Sequence, residues 1–179
     1  MADSPYIIRF LQLPVGEHSF SFRIEDSFFQ QHEGSMVHGA EMDVNVILYK
    51  TSNVAMNMDL HMRGFVAVEC VRCLEAFRLP LEIEKSLVVR MVETPSAEED
   101  DEDTIQVALS SNELDLSQTL YDFITLAIPY SPVHPDNADG TEGCNPQVVK
   151  HIQKNTVRDS RDSAGGDDRW DALKKIRLN

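Results

Sequence analysis

An α+β fold built on an antiparallel sheet is what this sequence predicts, and three observations carry the prediction. Apolar residues recur at every second position through residues 40–70 and again through 79–91, the period of strands with one face buried. The breaks between these stretches are short, which suits hairpins better than parallel crossovers. A later stretch, 116–124, changes to helical spacing, as a helix lying over a sheet would.

The elements follow in order. Tyr6 to Leu13 reads as a strand closed by Pro14 and Gly16. Phe20, Phe22 and Ile24 alternate as a second strand, and Asp26 to Gln31 reads as a helical turn with Phe28 and Phe29 as core anchors. Ala40, Met42, Val44, Val46 and Leu48 form the clearest strand, with a turn at Lys50-Thr51-Ser52-Asn53. The same period continues from Met56 to Cys70. The stretch from Val54 to Cys70 exceeds an ordinary strand, so Gly64 is expected to mark a bend or bulge. Two further alternating segments, Leu79-Leu81-Ile83 and Leu87-Val89-Met91, complete the expected meander. Met42, Met56, Met58 and Met62 share strand faces, where methionine fills irregular cores.

Glu98 to Asp103 is an unbroken acidic run, expected to be an open, solvated loop because like charges repel. Ile105, Val107 and Leu109 offer a short strand after it. Asp115 or Ser117 can cap a helix over 117–127 whose Leu116, Leu120, Phe123 and Ile124 face the sheet. Pro129 and Pro132 stop that pattern. These features divide the chain into an α+β body, 1–129, a flexible segment rich in Pro, Gly, Asp, Asn and Ser, 130–166, and a short basic terminal helix, 167–179.

The formal charge is −14, from 16 basic and 30 acidic side chains in 179 residues. It is uneven: residues 1–149 hold 8 Lys and Arg against 25 Asp and Glu, whereas residues 150–179 hold 8 against 5. The acidic body does not by itself attract nucleic acid or anionic lipid, whereas the basic tail can either touch RNA phosphate or fold back on that acidic surface. Three cysteines do not read as a secreted disulfide framework, no leader pattern opens the sequence, and no run reaches the ~20 apolar residues of a membrane span. A reducing cytoplasm is the expected setting.

Chemistry concentrates in Cys70-Val71-Arg72-Cys73, where two thiols three positions apart occupy a predicted turn between strands. That is zinc-knuckle spacing. Tetrahedral zinc needs two more ligands, for which Cys144 and His134 are the first candidates, with His151 and His61 behind them. Buried structural thiols are the alternative. A thioredoxin-like role fits poorly, since such a pair opens a helix in a parallel α/β unit. No phosphate loop, HExxH or GxSxG pattern is present, and no acid–base pair stands out, so a non-enzymatic binding or assembly role is expected, with no small-molecule substrate and no membrane partner.

The chain resembles the bacterial YceD family, the large ribosomal RNA subunit accumulation proteins. The resemblance rests on Cys70-Val71-Arg72-Cys73-Leu74-Glu75-Ala76-Phe77, the acidic linker, Glu113-Leu114-Asp115-Leu116, Ile124 to Pro129, Pro132-Val133-His134-Pro135 and Asp167-Asp168-Arg169-Trp170-Asp171-Ala172-Leu173-Lys174-Lys175, in that order. It implies a cytoplasmic, non-catalytic factor in 23S rRNA accumulation and large-subunit assembly, whose partner is that rRNA, its precursor or a large-subunit ribosomal protein. It carries the family's paired cysteines onto Cys70 and Cys73 and a downstream cysteine onto Cys144. Many relatives have a cysteine-rich cluster there, whereas Gly143-Cys144-Asn145-Pro146 keeps a single one. Together with the charge pattern it marks Arg72, Lys150, Lys154, Arg158, Arg161, Arg169, Trp170, Lys174 and Lys175 as RNA or partner contacts. A zinc-stabilised protein-binding adaptor without RNA contact is the alternative, and thiol redox chemistry ranks third.

Overall fold

The computed structural model describes residues 5–32, 34–52, 54–95, 103–137 and 140–155. Two compact units divide the chain, Met1–Cys144 and Asn145–Asn179.

In the first unit, five strands form one sheet in the order β2-β3-β4-β5-β6: β2 (Gly16–Glu25), β3 (Gly39–Lys50), β4 (Ala55–Glu69), β5 (Ala76–Val92) and β6 (Thr104–Ala108). The first four run as an antiparallel meander, as the short connections require. Two residues of β1 (Ile7–Ile8) pair with β7 (Leu114–Asp115) in a separate small ribbon. The rest of the strand expected over 6–13 is a 3-10 turn at Phe10–Gln12.

The sheet is mixed, which corrects the expectation of an antiparallel one. β6 lies parallel to β5, with Val88 opposite Thr104 and Val92 opposite Ala108. Only five residues are paired, so the connection must regain only about 13 Å, well within the reach of the intervening residues 93–103. The acidic run lies in this connection; apart from Asp103, it falls outside the described residues.

The two longest strands also differ from expectation. β4 is continuous, and its register with β3 passes Gly64 opposite Met42 with no inserted residue, so no bulge forms. A Cβ at Gly64 would lie 2.2 Å from the Glu41 carbonyl oxygen and 2.6 Å from Met42 Cα. The glycine is there to let two backbones approach. The two segments 79–83 and 87–91 are one strand, β5, interrupted in hydropathy only by exposed Lys85, whose ammonium stands 5.4 Å from the Phe123 ring. Pro80 is tolerated because β6 pairs only with the far end of β5, so that among the described residues no strand lies beside β5 there to accept the missing N–H.

One sheet face is apolar: Met42, Val44, Val46, Leu48, Met56, Met58, Leu60 and Met62 are buried together with Ile24, Phe28 and Phe29. α1 (Asp26–Gln30) supplies the two phenylalanines. α2 (Ser117–Ala127) adds Leu120 and Ile124, and its first turn is closed by Asp115, whose Oδ1 accepts from the Ser117 N–H at 2.9 Å. Lys50 ends the buried row of β3; its Nζ donates to the Phe10 and Leu13 carbonyls at 3.1 and 2.8 Å, which lets an ammonium sit inside. In the second unit, α3 (Pro146–Asn155) is a helix within the stretch read from sequence as mostly irregular.

Candidate metal centre

The β4–β5 connection is a tight knuckle. The Leu74 N–H donates to the Cys70 carbonyl at 2.8 Å, and the Cys70 N–H to the Glu75 carbonyl at 3.0 Å. Closing the loop this way forces Leu74 to φ 60°, the left-handed region that costs a leucine about 1–2 kcal/mol. The turn directs Cys70 and Cys73 into the protein, where both are buried.

The remaining half comes from residues 130–144, which follow α2 and belong to the first unit. The Val71 N–H donates to the Pro132 carbonyl at 2.9 Å, joining this segment to the knuckle. His134 packs against the Phe77 ring at the start of β5, centroids 4.6 Å apart. The chain then turns, with the Asn137 N–H donating to the Thr141 carbonyl at 2.8 Å, and returns to place Cys144 beside His134.

Cys70, Cys73, Cys144 and His134 thus bring three sulfurs and Nδ1 within 4.8 Å of one another. Sγ of Cys70 is 3.7 Å from Sγ of Cys144, Nδ1 of His134 is 3.4 Å from Sγ of Cys73, and it is 3.8 Å from Sγ of Cys144. Ligands about 2.3 Å from a tetrahedral zinc stand roughly 3.8 Å apart, so these separations are those of a tetrahedron's edges. The cysteines are unbridged. Cys3His is a structural zinc donor set, here three buried cysteines and a half-buried histidine, and the four residues fit such an ion.

The electrostatics prepare thiolates unequally. Burial pushes the Cys70 thiol up, but the backbone N–H groups of Cys73, Arg72 and His134, with the His134 side chain, more than offset it and bring the pKa down to about 6. Burial and the neighbouring Cys70 and Cys73 sulfurs push Cys144 up to about 11. A cation between them would relieve that repulsion.

The other candidates are placed elsewhere. His61 projects from β4 toward Glu82 and Glu84, at 3.4 and 3.8 Å, and His151 lies on α3, its Nε2 accepting from the Asn155 side-chain amide at 2.9 Å. Arg72 is not an unpaired cation: its guanidinium is 3.4 Å from Glu142. Lys150 and Lys154 are exposed on α3. Arg158, Arg161, Arg169, Trp170, Lys174 and Lys175 lie outside the described residues. Sequence reasoning missed Gly143, where a Cβ would lie 2.1 Å from the Pro135 carbonyl oxygen, and Phe77, the platform for His134. A glycine directly before a ligand cysteine was the available signal.

A family model described as "Large ribosomal RNA subunit accumulation protein YceD" matches residues 58–177, well over half of the chain. The chain belongs to the YceD family. The matched region takes in all four clustered residues of this YceD-family protein, from the knuckle to Cys144. No curated protein and no solved structure matched it. The family description associates the protein with the large ribosomal subunit and its RNA. Among the described residues, no helix is long and apolar enough to cross a membrane.

Proposed function

We propose that this YceD-family protein is a non-catalytic, cytoplasmic factor that supports 23S rRNA accumulation during large-subunit biogenesis, and that a zinc ion held by Cys70, Cys73, Cys144 and His134 clamps its partner-binding surface. The observation that carries the reading is a Cys3His cluster, its three cysteines buried, in a chain matched to a family described by large-subunit RNA accumulation. Four protein ligands complete a tetrahedron and leave no open position for substrate, the pattern of structural rather than catalytic zinc. The ion would supply cross-linking of two chain segments far apart in sequence; the surrounding chain buries and orients the ligands and favours the thiolate at Cys70.

The test has two arms. Metal analysis of protein purified without added zinc is expected to give one zinc per chain, lost in the Cys73→Ser variant. Depletion in cells is expected to lower 23S rRNA and large subunits relative to 16S rRNA and small subunits. Normal 23S rRNA on depletion overturns the biogenesis role; metal-free protein overturns the clamp.

A second reading, a zinc-stabilised adaptor that binds protein and not RNA, is favoured by the charge of Met1–Cys144, which holds 8 basic against 25 acidic side chains. Crosslinking to isolated 23S rRNA and to pooled large-subunit proteins separates the two.

A further inference from the structure

Behind the metal knuckle lies a groove of about 310 Å³, with Val68 and Ile128 at its base and Met36, Val71, Tyr130 and Pro132 at its sides. These are not scattered surface residues: Met36 is 65% exposed, Val71 54%, and Tyr130 fully exposed, all around one depression. Two of its walls are the segments that carry the metal ligands, and Met36 and His38, from the stretch leading into β3, line it as well. Val71 follows Cys70, Pro132 precedes His134 by two positions, and the Val71 N–H to Pro132 carbonyl bond, 2.9 Å, holds one wall to the other. Whatever rigidifies the Cys3His cluster therefore holds these two walls against each other.

The size and charge of the groove limit its occupant. At the lower end of ligand-pocket volumes, roughly 300 Å³, it accepts anchoring side chains and does not enclose a drug-sized molecule. Among the described residues, no lysine or arginine lines it; its ionisable side chains are Glu69 and His38. Arg72, the nearest cation on the knuckle, is neutralised by Glu142 at 3.4 Å. The surrounding unit carries 25 acidic against 8 basic side chains. A phosphate backbone is repelled by such a surface, whereas a cationic polypeptide is drawn to it and can place apolar side chains in the depression.

We propose that this groove docks a lysine- and arginine-rich polypeptide segment, through apolar side chains seated between Met36, Val71 and Tyr130, with the segment's cations facing Glu69 and the acidic body. The proposal rests on the large-subunit reading above and names the partner class: a basic ribosomal protein rather than rRNA.

The test uses the full, metal-loaded chain with p-benzoylphenylalanine in place of Tyr130, irradiated with proteins extracted from purified large subunits, with deproteinised 23S rRNA, and alone. The expected adduct maps to a net-positive protein segment containing apolar residues. Its yield falls several-fold as salt is raised, and at least about tenfold with Glu69→Lys or Val71→Asp in the same chain when metal content is retained. Adducts only with rRNA, only with a second copy of the chain, only with neutral or acidic segments, or with nothing overturn the proposal. A cell assay separates its failure from that of the underlying reading. If depletion lowers 23S rRNA and Tyr130→Asp restores it in full, the groove proposal fails alone. If depletion leaves 23S rRNA normal, the biogenesis reading fails, and the crosslink still decides the groove.

Discussion

Gly143 presses its backbone against the carbonyl of Pro135, so closely that a Cβ would stand 2.1 Å from that oxygen and 3.2 Å from His134 Cβ. This approach returns the chain to its own start and sets Cys144 Sγ 3.8 Å from His134 Nδ1. It brings two ligands ten residues apart to within reach of one ion.

Gly143→Ala is therefore expected to weaken zinc binding by roughly tenfold to a hundredfold, the range seen when groups that orient ligands are disturbed, although no ligand is removed. Competition with a chromophoric chelator measures it. Unaltered affinity in the alanine variant would show that something other than this contact positions Cys144.

Metal uptake should release protons in a pattern set by the unequal thiols. Cys70, held near pH 6, is already a thiolate at pH 7.5, while Cys144, pushed to about 11, carries a proton that zinc must displace. Calorimetry at pH 7.5 in buffers of different ionisation enthalpy should report at least one proton released per ion. As pH falls through about 6, Cys70 also protonates, so affinity should drop steeply there. Proton release of zero at pH 7.5, or affinity constant down to pH 5, contradicts this assignment.

Leu74 combines a left-handed φ of 60° with a side chain 69% exposed. Glycine accepts that conformation without strain, losing only unfolded-state entropy, so Leu74→Gly should leave the metal-loaded protein as stable as the parent or up to about 1 kcal/mol more stable. Leu74→Val, β-branched at the same φ, should lose roughly 1–2 kcal/mol. Urea denaturation of both variants decides it. A glycine variant weaker than the parent by more than that margin means Leu74 makes a contact worth more than its strain.

Gly64→Ala tests the centre of the sheet. Its Cβ would meet backbone of β3, at 2.2 Å from the Glu41 oxygen, and neither strand can yield without breaking a ladder paired over 12 positions. A loss of about 3 kcal/mol or more is expected in chemical denaturation. Full stability would require a local opening of β3 from β4, visible as faster amide exchange at Met42.

Much of the fold was legible because a half-buried strand prints its period directly into the sequence. Residues 40–48 and 56–70 alternate, and they are β3 and β4, with Met42, Met56, Met58 and Met62 in the core. Where neighbours decide, the reading fell short. Lys85 broke the apolar row of β5 and suggested two segments; its ammonium near Phe123 explains how the strand continues through it. The parallel pairing of β6 left no mark in its own five residues, since either direction of hydrogen bonding accepts the same alternation.

From sequence alone came the identity of the metal-ligand types, the two-residue spacing of Cys70 and Cys73, the alternation of the long strands and the separation of an acidic body from a basic tail. These are local properties of composition and period, written into neighbouring residues. Only the tertiary structure decided that Cys144 and His134 complete the cluster while His61 and His151 do not, that Arg72 is spent on Glu142, and that Val71 and Pro132 wall a single groove. Convergence of segments sixty or more residues apart depends on chain return through close backbone contacts such as Gly143 on Pro135, and no periodicity encodes where a returning chain will stop.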